Sequence, residues 1–362
     1  MNITFGGGFL GKKEALLYQG REILKQLAKY HTINIDSNPV GGYWEKFFNN
    51  FKQEEENIYI MNGHVPYLPE LAKTHKKIIS ITQFETTLPK DWVEALNIPE
   101  VVEIWVTSKF VRELVLESGV RKPVKVVYLG LDKRFFKKGI NIFKKDKSFK
   151  FLNISAPHGL GRKDRKGLDI LIEAFKEEFG DNPEFTLILK INTIYCDLYN
   201  KKLGKQFNLH KYLFDLIPEG FDTKNIAIIT RYLSTEELNN LYNSVDCGVF
   251  PARSEGFGLS QCELAKLGIP TITTNYSSTN EFSDPRLRIK IKKELEPLDY
   301  DIYPYGKGLF AEPDVNSLRK IMRMVYEEYN IEKVFAEKHS KTLDKFSWDL
   351  IGVKLSSLLK NK

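Results

Sequence analysis

The stretch Asp246-Cys247-Gly248-Val249-Phe250-Pro251-Ala252-Arg253-Ser254-Glu255-Gly256-Phe257-Gly258-Leu259 decides how the rest of the chain is read. It opens on a short apolar run of the kind that forms a buried strand. Two glycines follow, and from about Ser260 to Leu267 the pattern turns helical. Gly268 can supply the left-handed residue that ends such a helix, and Pro270 blocks its continuation. A strand that runs through a glycine loop into a helix presents free backbone N–H groups at the positive end of the helix dipole, which suits phosphate or sugar hydroxyls. Glu255 opens the loop and Glu263 stands eight positions on, about one turn into the helix, so both carboxylates can face one ligand.

The same strand-to-helix step recurs along the chain. Strand-like runs occupy residues 3–5, 32–35, 58–61, 78–82, 103–106 and 124–128, then 149–154, 185–190, 226–230, 247–250, 271–273 and 308–310. Helical patterns fall between them at 14–29, 109–117, 169–179 and 317–329. Such alternation predicts an α/β protein of parallel sheets with helices on both faces. The series runs twice, with a basic, weakly patterned connection over 134–148. We therefore expect an N-terminal Rossmann-like domain over 1–140 and a C-terminal one over 149–340. Doubly wound sheets bind ligands at the carboxyl ends of their strands, which predicts a cleft where the two domains face each other.

A chain of 362 residues is too long for one ordinary core. With 42% hydrophobic and 28% charged residues it reads as globular, and its longest apolar runs are too short to span a bilayer. Met1-Asn2-Ile3-Thr4-Phe5 leads straight into a strand without the zones of a leader peptide, so a cytoplasmic location is expected. The three cysteines, Cys196, Cys247 and Cys262, have no C-x-x-C spacing, which argues against a disulfide framework or a structural zinc. The net charge of +7 comes from lysine clusters such as Lys144-Lys145 and Lys290 to Lys293. These are read first as a solvated surface, and they also permit peripheral contact with anionic lipid. No zinc finger, basic zipper or RNP-like motif accompanies the charge, so no nucleic-acid partner is expected.

Glu255 and Glu263 match the E-x7-E motif, and on that motif the chain resembles the family 4 retaining glycosyltransferases. The resemblance implies the GT-B fold, two Rossmann-like doubly wound domains facing a central cleft. Carried over by position, Glu255 with the backbone of Gly256, Phe257, Gly258 and Leu259 would hold the transferred sugar, and Glu263 would accept hydrogen bonds from the ribose. The run Arg162-Lys163-Asp164-Arg165-Lys166-Gly167 is similar to the family's R…KG element, whose cations bind the donor diphosphate. Lys166 matches the family lysine, whereas Arg162 lies somewhat downstream of the family arginine. Arg231, Tyr232 and Leu233 precede a capping box formed by Ser234 and Glu237, and in the family that position packs on the nucleobase. Gly308 to Asp314 resembles an architectural strand and turn. Val106 to Val111, with Ser108 as N-cap, and Val127 to Asp132 resemble the end of the first domain, and Phe346-Ser347-Trp348 opens a helix over about 346–362 that crosses back to it.

The resemblance implies transfer of a sugar from a nucleoside-diphosphate sugar to an acceptor hydroxyl, with retention and with no metal or other cofactor. The acceptor could be a glycan, a lipid-linked sugar or a protein. No Asp-x-Asp element stands at the end of a predicted strand, and the diphosphate charge would then be met by side-chain cations. In the first half, His64 and Glu85 each follow a strand. Many family members place a histidine near the second of these positions. This chain has Gln83 and Glu85 there, and Glu85 could orient the acceptor hydroxyl or take its proton. The loop Gly6-Gly7-Gly8-Phe9-Leu10-Gly11 is similar to the family's glycine loop, whose amides, Gly8 among them, approach the diphosphate. It also satisfies G-x-G-x-x-G, and with Asp36 at the end of the second strand it supports a rival reading, an NAD-dependent oxidoreductase. A third reading is a GT-B protein that binds sugars without catalysis.

Overall fold

The computed structural model describes residues 2–7, 15–36, 58–63, 65–133, 139–143, 146–157, 164–193, 208–298 and 308–360. Among the sequence-derived candidates, Gly8, His64 and Arg162 lie outside the described residues, as does Cys196. The chain divides into two compact units, Met1–Leu131 with Lys345–Lys362, and Asp132–Asp344.

The first unit begins β1 (Asn2–Gly7), α1 (Ala15–Leu27), β2 (Thr32–Ile35), β3 (Ile58–Asn62), α2 (Leu68–Leu71) and β4 (Ile78–Thr82). It continues through α3 (Lys90–Leu96), β5 (Val101–Val106), α4 (Lys109–Glu117) and β6 (Val124–Val126). Its sheet has the order β2-β1-β3-β4-β5-β6, and every pairing is parallel. Both faces are covered, so β3 and β4 are buried along their whole length. Ser108 caps α4 by accepting from the Val111 N–H at 3.1 Å, as the sequence predicts.

The second unit runs β7 (Phe149–Ser155), α5 (Leu168–Phe179), β8 (Phe185–Ile191), α6 (Leu209–Asp215), β9 (Ile226–Ile229) and α7 (Thr235–Tyr242). Then come β10 (Cys247–Phe250), α8 (Leu259–Lys266), β11 (Thr271–Thr274) and β12 (Arg288–Ile289). An antiparallel pair follows, β13 (Glu296–Pro297) with β14 (Leu309–Phe310), and then α9 (Val315–Glu327) and α10 (Tyr329–Ser340). The main sheet is parallel throughout, in the order β12-β11-β10-β7-β8-β9. Here the sequence reading is corrected at one edge. The strand expected over 308–310 pairs outside the sheet, and the sixth sheet strand is β12, whose two residues are too few to show a period.

The last helix, α11 (Trp348–Leu359), belongs to the first unit. Trp348, Ile351, Leu355 and Leu359 join Ile3, Phe5, Ile23 and Leu27 in one core cluster. Gly130 fits the Trp348 ring, since a Cβ there would stand 2.3 Å from it. The indole N–H donates to the Tyr18 hydroxyl at 3.1 Å, and the Leu131 N–H donates to the Phe346 carbonyl at 2.7 Å. Among the described residues no helix is long and apolar enough to cross a membrane.

Candidate functional site

Numbered from β7, the second sheet has the order 3-2-1-4-5-6, and its order reverses between β7 and β10. Sheets of this kind bind ligands at that reversal, beyond the carboxyl ends of the strands. The loop after β7 ends in Asp164, Arg165, Lys166 and Gly167, and the loop after β10 carries Arg253 to Gly258. Both candidate motifs therefore meet at one switch point.

Close packing joins the two loops. Gly167 caps α5 in the left-handed region with φ 69°, and a Cβ there would lie 2.0 Å from the Pro251 carbonyl oxygen. Glycine alone meets both demands. The Arg253 N–H donates to the Arg165 carbonyl at 2.8 Å. The Arg253 guanidinium is fully buried between two carboxylates, Asp169 (2.8 and 2.7 Å) and Glu312 (2.7 and 3.0 Å), and it also donates to the Asp164 carbonyl at 2.5 Å. One side chain thereby ties the β7–α5 loop, the β10–α8 loop and the strand end before α9.

Glu255 is 6% exposed at the centre of this arrangement. Its Oε1 accepts from the Lys166 ammonium at 2.6 Å, and its Oε2 lies 3.4 Å from the Arg165 guanidinium, which also donates to the Ser254 carbonyl at 2.7 Å. Gln261 approaches Oε1 at 3.5 Å. Burial acts to raise the Glu255 pKa, but the charges of Lys166 and Arg165 outweigh it and hold the carboxyl below its usual value. Glu255 is thus a buried carboxylate that stays ionised.

Glu263 has the opposite character. It is 4% exposed on α8, with Oε2 accepting from the buried Tyr242 hydroxyl at 2.8 Å. Burial, opposed by that hydrogen bond and reinforced by Asp132, pushes its pKa up to about 8. Gly258 begins α8 in the left-handed region (φ 88°), and the helix has no side-chain cap. Phe257 is buried against Phe282, with ring centroids 5.7 Å apart, so its side chain belongs to the packing beneath the loop.

Arg231, Tyr232 and Leu233 lie in the loop between β9 and α7. The capping box is present, with Ser234 Oγ accepting from the Glu237 N–H at 3.2 Å and Glu237 accepting from the Ser234 N–H at 2.8 Å. Arg231 pairs with the same Glu237 at 2.6 Å, Tyr232 is 53% exposed, and Leu233 packs on the core beside α7. Next to this loop Lys190, at the end of β8, is buried and donates to the Ile191 carbonyl at 3.2 Å. Burial, with Arg231 nearby, lowers its pKa.

In the first unit Glu85 stands in a bend three residues beyond β4 and is half-buried. Gln83 donates to Gln19. The described part of the glycine loop has a packing role: a Cβ at Gly6 would meet the Tyr59 hydroxyl, and that hydroxyl donates to Asp36 at 2.7 Å. Asp36, the residue the NAD reading needs for a ribose, is thus committed to Tyr59.

The sequence reading gave no role of their own to Arg165, Gln261, Ser277 and Ser278, which contact Glu255, or to Arg253 two positions before it. Arg165 sits in the basic run already read as a phosphate element and could have been taken with Lys166. Gln261 and Arg253 carry no such signal, because their roles depend on contacts across the two loops.

The family model described as "Glycosyl transferases group 1" matches residues 160–285. No curated protein matches the chain in sequence. Similar solved structures include Anabaena Alr3699/HepE in complex with UDP and glucose, with a TM-score of 0.71 at 14% identity over 100% of both chains. A sucrose-phosphate synthase from Thermosynechococcus elongatus superposes with a TM-score of 0.65 at 13% identity, over 99% of this chain and 98% of that one. The pneumococcal O-GlcNAc transferase GtfA, in complex with UDP and GlcNAc, has a TM-score of 0.53 at 15% identity, over 84% of this chain and 56% of that one. With its two parallel six-stranded sheets, the chain has the GT-B fold, and the segment bearing Lys166, Glu255 and Glu263 is the part that matches the group 1 glycosyl transferase model.

Proposed function

We propose that the protein is a glycosyltransferase that moves a sugar from a nucleoside-diphosphate sugar to an acceptor hydroxyl, with retention and without a metal. The observation that carries this is the Glu255 carboxylate, buried and kept ionised by Lys166 at 2.6 Å and Arg165 at 3.4 Å at the switch point of the second sheet. A buried anion beside a lysine fits a ligand that brings hydroxyls and a diphosphate together. The sugar hydroxyls donate to Glu255 and the diphosphate oxygens accept from Lys166, whose ammonium has three donors. Similar structures hold UDP with a sugar, which favours the same ligand class here.

In the reaction the bond between the sugar's anomeric carbon and the donor phosphate oxygen breaks, and the acceptor oxygen bonds to that carbon on the same face. The departing phosphate oxygen takes the acceptor proton, so no protein nucleophile is needed. Catalysis is then placement together with stabilisation of charge growing on the diphosphate. The metal-free reading rests on those cations, since the one Asp-x-Asp of the chain, Asp299-Tyr300-Asp301, lies outside the described residues. Lipid-linked, glycan and protein acceptors are all compatible with this chemistry, and the lysine-rich surface suits an acceptor presented at a membrane.

The test is release of nucleoside diphosphate from UDP-, GDP- and ADP-sugars, measured beside thermal shifts with the free nucleotides. At saturation a cognate nucleotide stabilises by about 3 kcal/mol at 100 times its Kd. Lys166→Ala lowers turnover by about 100-fold, the scale of losing one oxyanion-stabilising group. Stabilisation by NADH with no response to any nucleotide sugar would overturn the proposal.

A further inference from the structure

Among the described residues, Ser277 is the one non-glycine residue in the left-handed region, with φ 64°. Backbone held there by a residue with a Cβ is strained, and strain of this kind collects at functional sites. Ser277 opens a short helical turn after β11, over Ser277–Glu281, and is buried together with Ser278 and Thr279. Its hydroxyl points back to the β10–α8 loop, where Ser277 Oγ accepts from the Glu255 N–H at 3.0 Å. Ser278 meets the other side of the same residue, its hydroxyl donating to the Glu255 carbonyl at 2.6 Å and its own N–H reaching that carbonyl at 3.4 Å. Both backbone groups of Glu255 are therefore held by hydroxyls from a segment outside the E-x7-E motif. The segment is itself fixed, because Thr279 donates to the Thr274 and Tyr276 carbonyls (3.1 and 2.9 Å) and Phe282 packs on Phe257.

We propose that Ser277 and Ser278 are positioning residues for Glu255, and that serine is kept in the strained position for its hydroxyl and not for stability. This rests on the reading of Glu255 as the group that holds the transferred sugar. Lys166 and Arg165 fix the charge of that carboxylate, and the two serines fix the backbone from which it projects. A glycine at 277 would relax the backbone, since glycine enters the left-handed region without a steric penalty. It would also remove the acceptor of the Glu255 N–H. Relieved strain and an unpaired buried N–H act on stability in opposite directions, so the role is read from turnover set against nucleotide affinity.

The experiment uses the full chain and compares the parent with Ser277→Gly and Ser278→Ala. It measures the melting temperature without ligand, the affinity for UDP, GDP and ADP, and kcat and KM for release of nucleoside diphosphate from UDP-, GDP- and ADP-glucose. We expect Ser277→Gly to keep its nucleotide affinity within about 2-fold and to lose kcat by about 10-fold or more, as small misplacements at a reacting centre do. Ser278→Ala should lose kcat in the same way with the same retained nucleotide affinity. An unchanged kcat in either variant, or a nucleotide affinity that falls as far as kcat, overturns the proposal. A parent chain that binds no nucleotide and turns over no nucleotide sugar instead removes the reading of the site on which the proposal rests, and that outcome is seen before any variant is compared.

Discussion

At the scale of the residue, the two glutamates of E-x7-E are not equivalent. Glu255 is buried beside two cations and stays ionised, whereas Glu263 is buried beside a hydroxyl and has its pKa pushed up to about 8. A carboxyl whose folded pKa lies above its unfolded value favours the folded state fully below the unfolded value, and that contribution is lost as pH rises through the folded pKa. The ligand-free protein should thus lose stability between about pH 5 and 8. In Glu263→Gln that slope should flatten, as melts across the range would show. Ribose hydroxyls that donate to Glu263 favour its ionised form, so nucleotide binding at pH 7 should release up to about one proton. Calorimetry in buffers of different ionisation enthalpy would count it, and equal release by the parent and Glu263→Gln would refute the assignment. The sequence placed both carboxylates at one pocket by their spacing. It could not separate their charge states, because these depend on Lys166, Arg165 and Tyr242, which lie 89, 90 and 21 residues away from their partners.

At the scale of the element, the candidate site is a meeting of loops, and its geometry depends on Arg253. A buried guanidinium between two carboxylates contributes little net stability while intact, because desolvation offsets most of the attraction. Removing it leaves the buried Glu312 and the half-buried Asp169 as uncompensated anions. Arg253→Met should therefore cost about 3–5 kcal/mol, read as a lower denaturant midpoint, and should abolish nucleotide binding although Arg253 itself contacts no proposed ligand. A midpoint within experimental error of the parent would show that the three loops hold one another without it. The elements themselves were legible. Gly268, found with φ 72°, and the Ser234–Glu237 capping box mark helix ends through local chemistry. The fourth helix was read over 109–117, the span it occupies. The clamp of α5 by Gly167 against Pro251 was not legible, since a glycine needed for close approach and one needed for a cap look alike in sequence.

At the scale of the whole molecule, the chain folds as two units, and the first is completed from the far end of the sequence. Trp348, Ile351, Leu355 and Leu359 of α11 are each at most 5% exposed, in a core cluster otherwise built by β1, α1, β3, β4, β5 and Val127 just after β6. Burying four such side chains contributes about 6–12 kcal/mol, which is comparable with the entire stability of a domain, about 5–15 kcal/mol. Residues 1–131 alone should therefore fail to fold cooperatively. The fragment 132–344 holds its own sheet and its own core cluster, so it should melt in a single cooperative step. Supplying the peptide 345–362 to the first fragment should restore a cooperative melt, because the Trp348 ring regains its place on Gly130 and the Leu131 N–H regains the Phe346 carbonyl. Calorimetry on the two fragments, with and without the peptide, decides the matter. A cooperative transition of 1–131 alone at the parent temperature would mean that α11 only covers a core already complete.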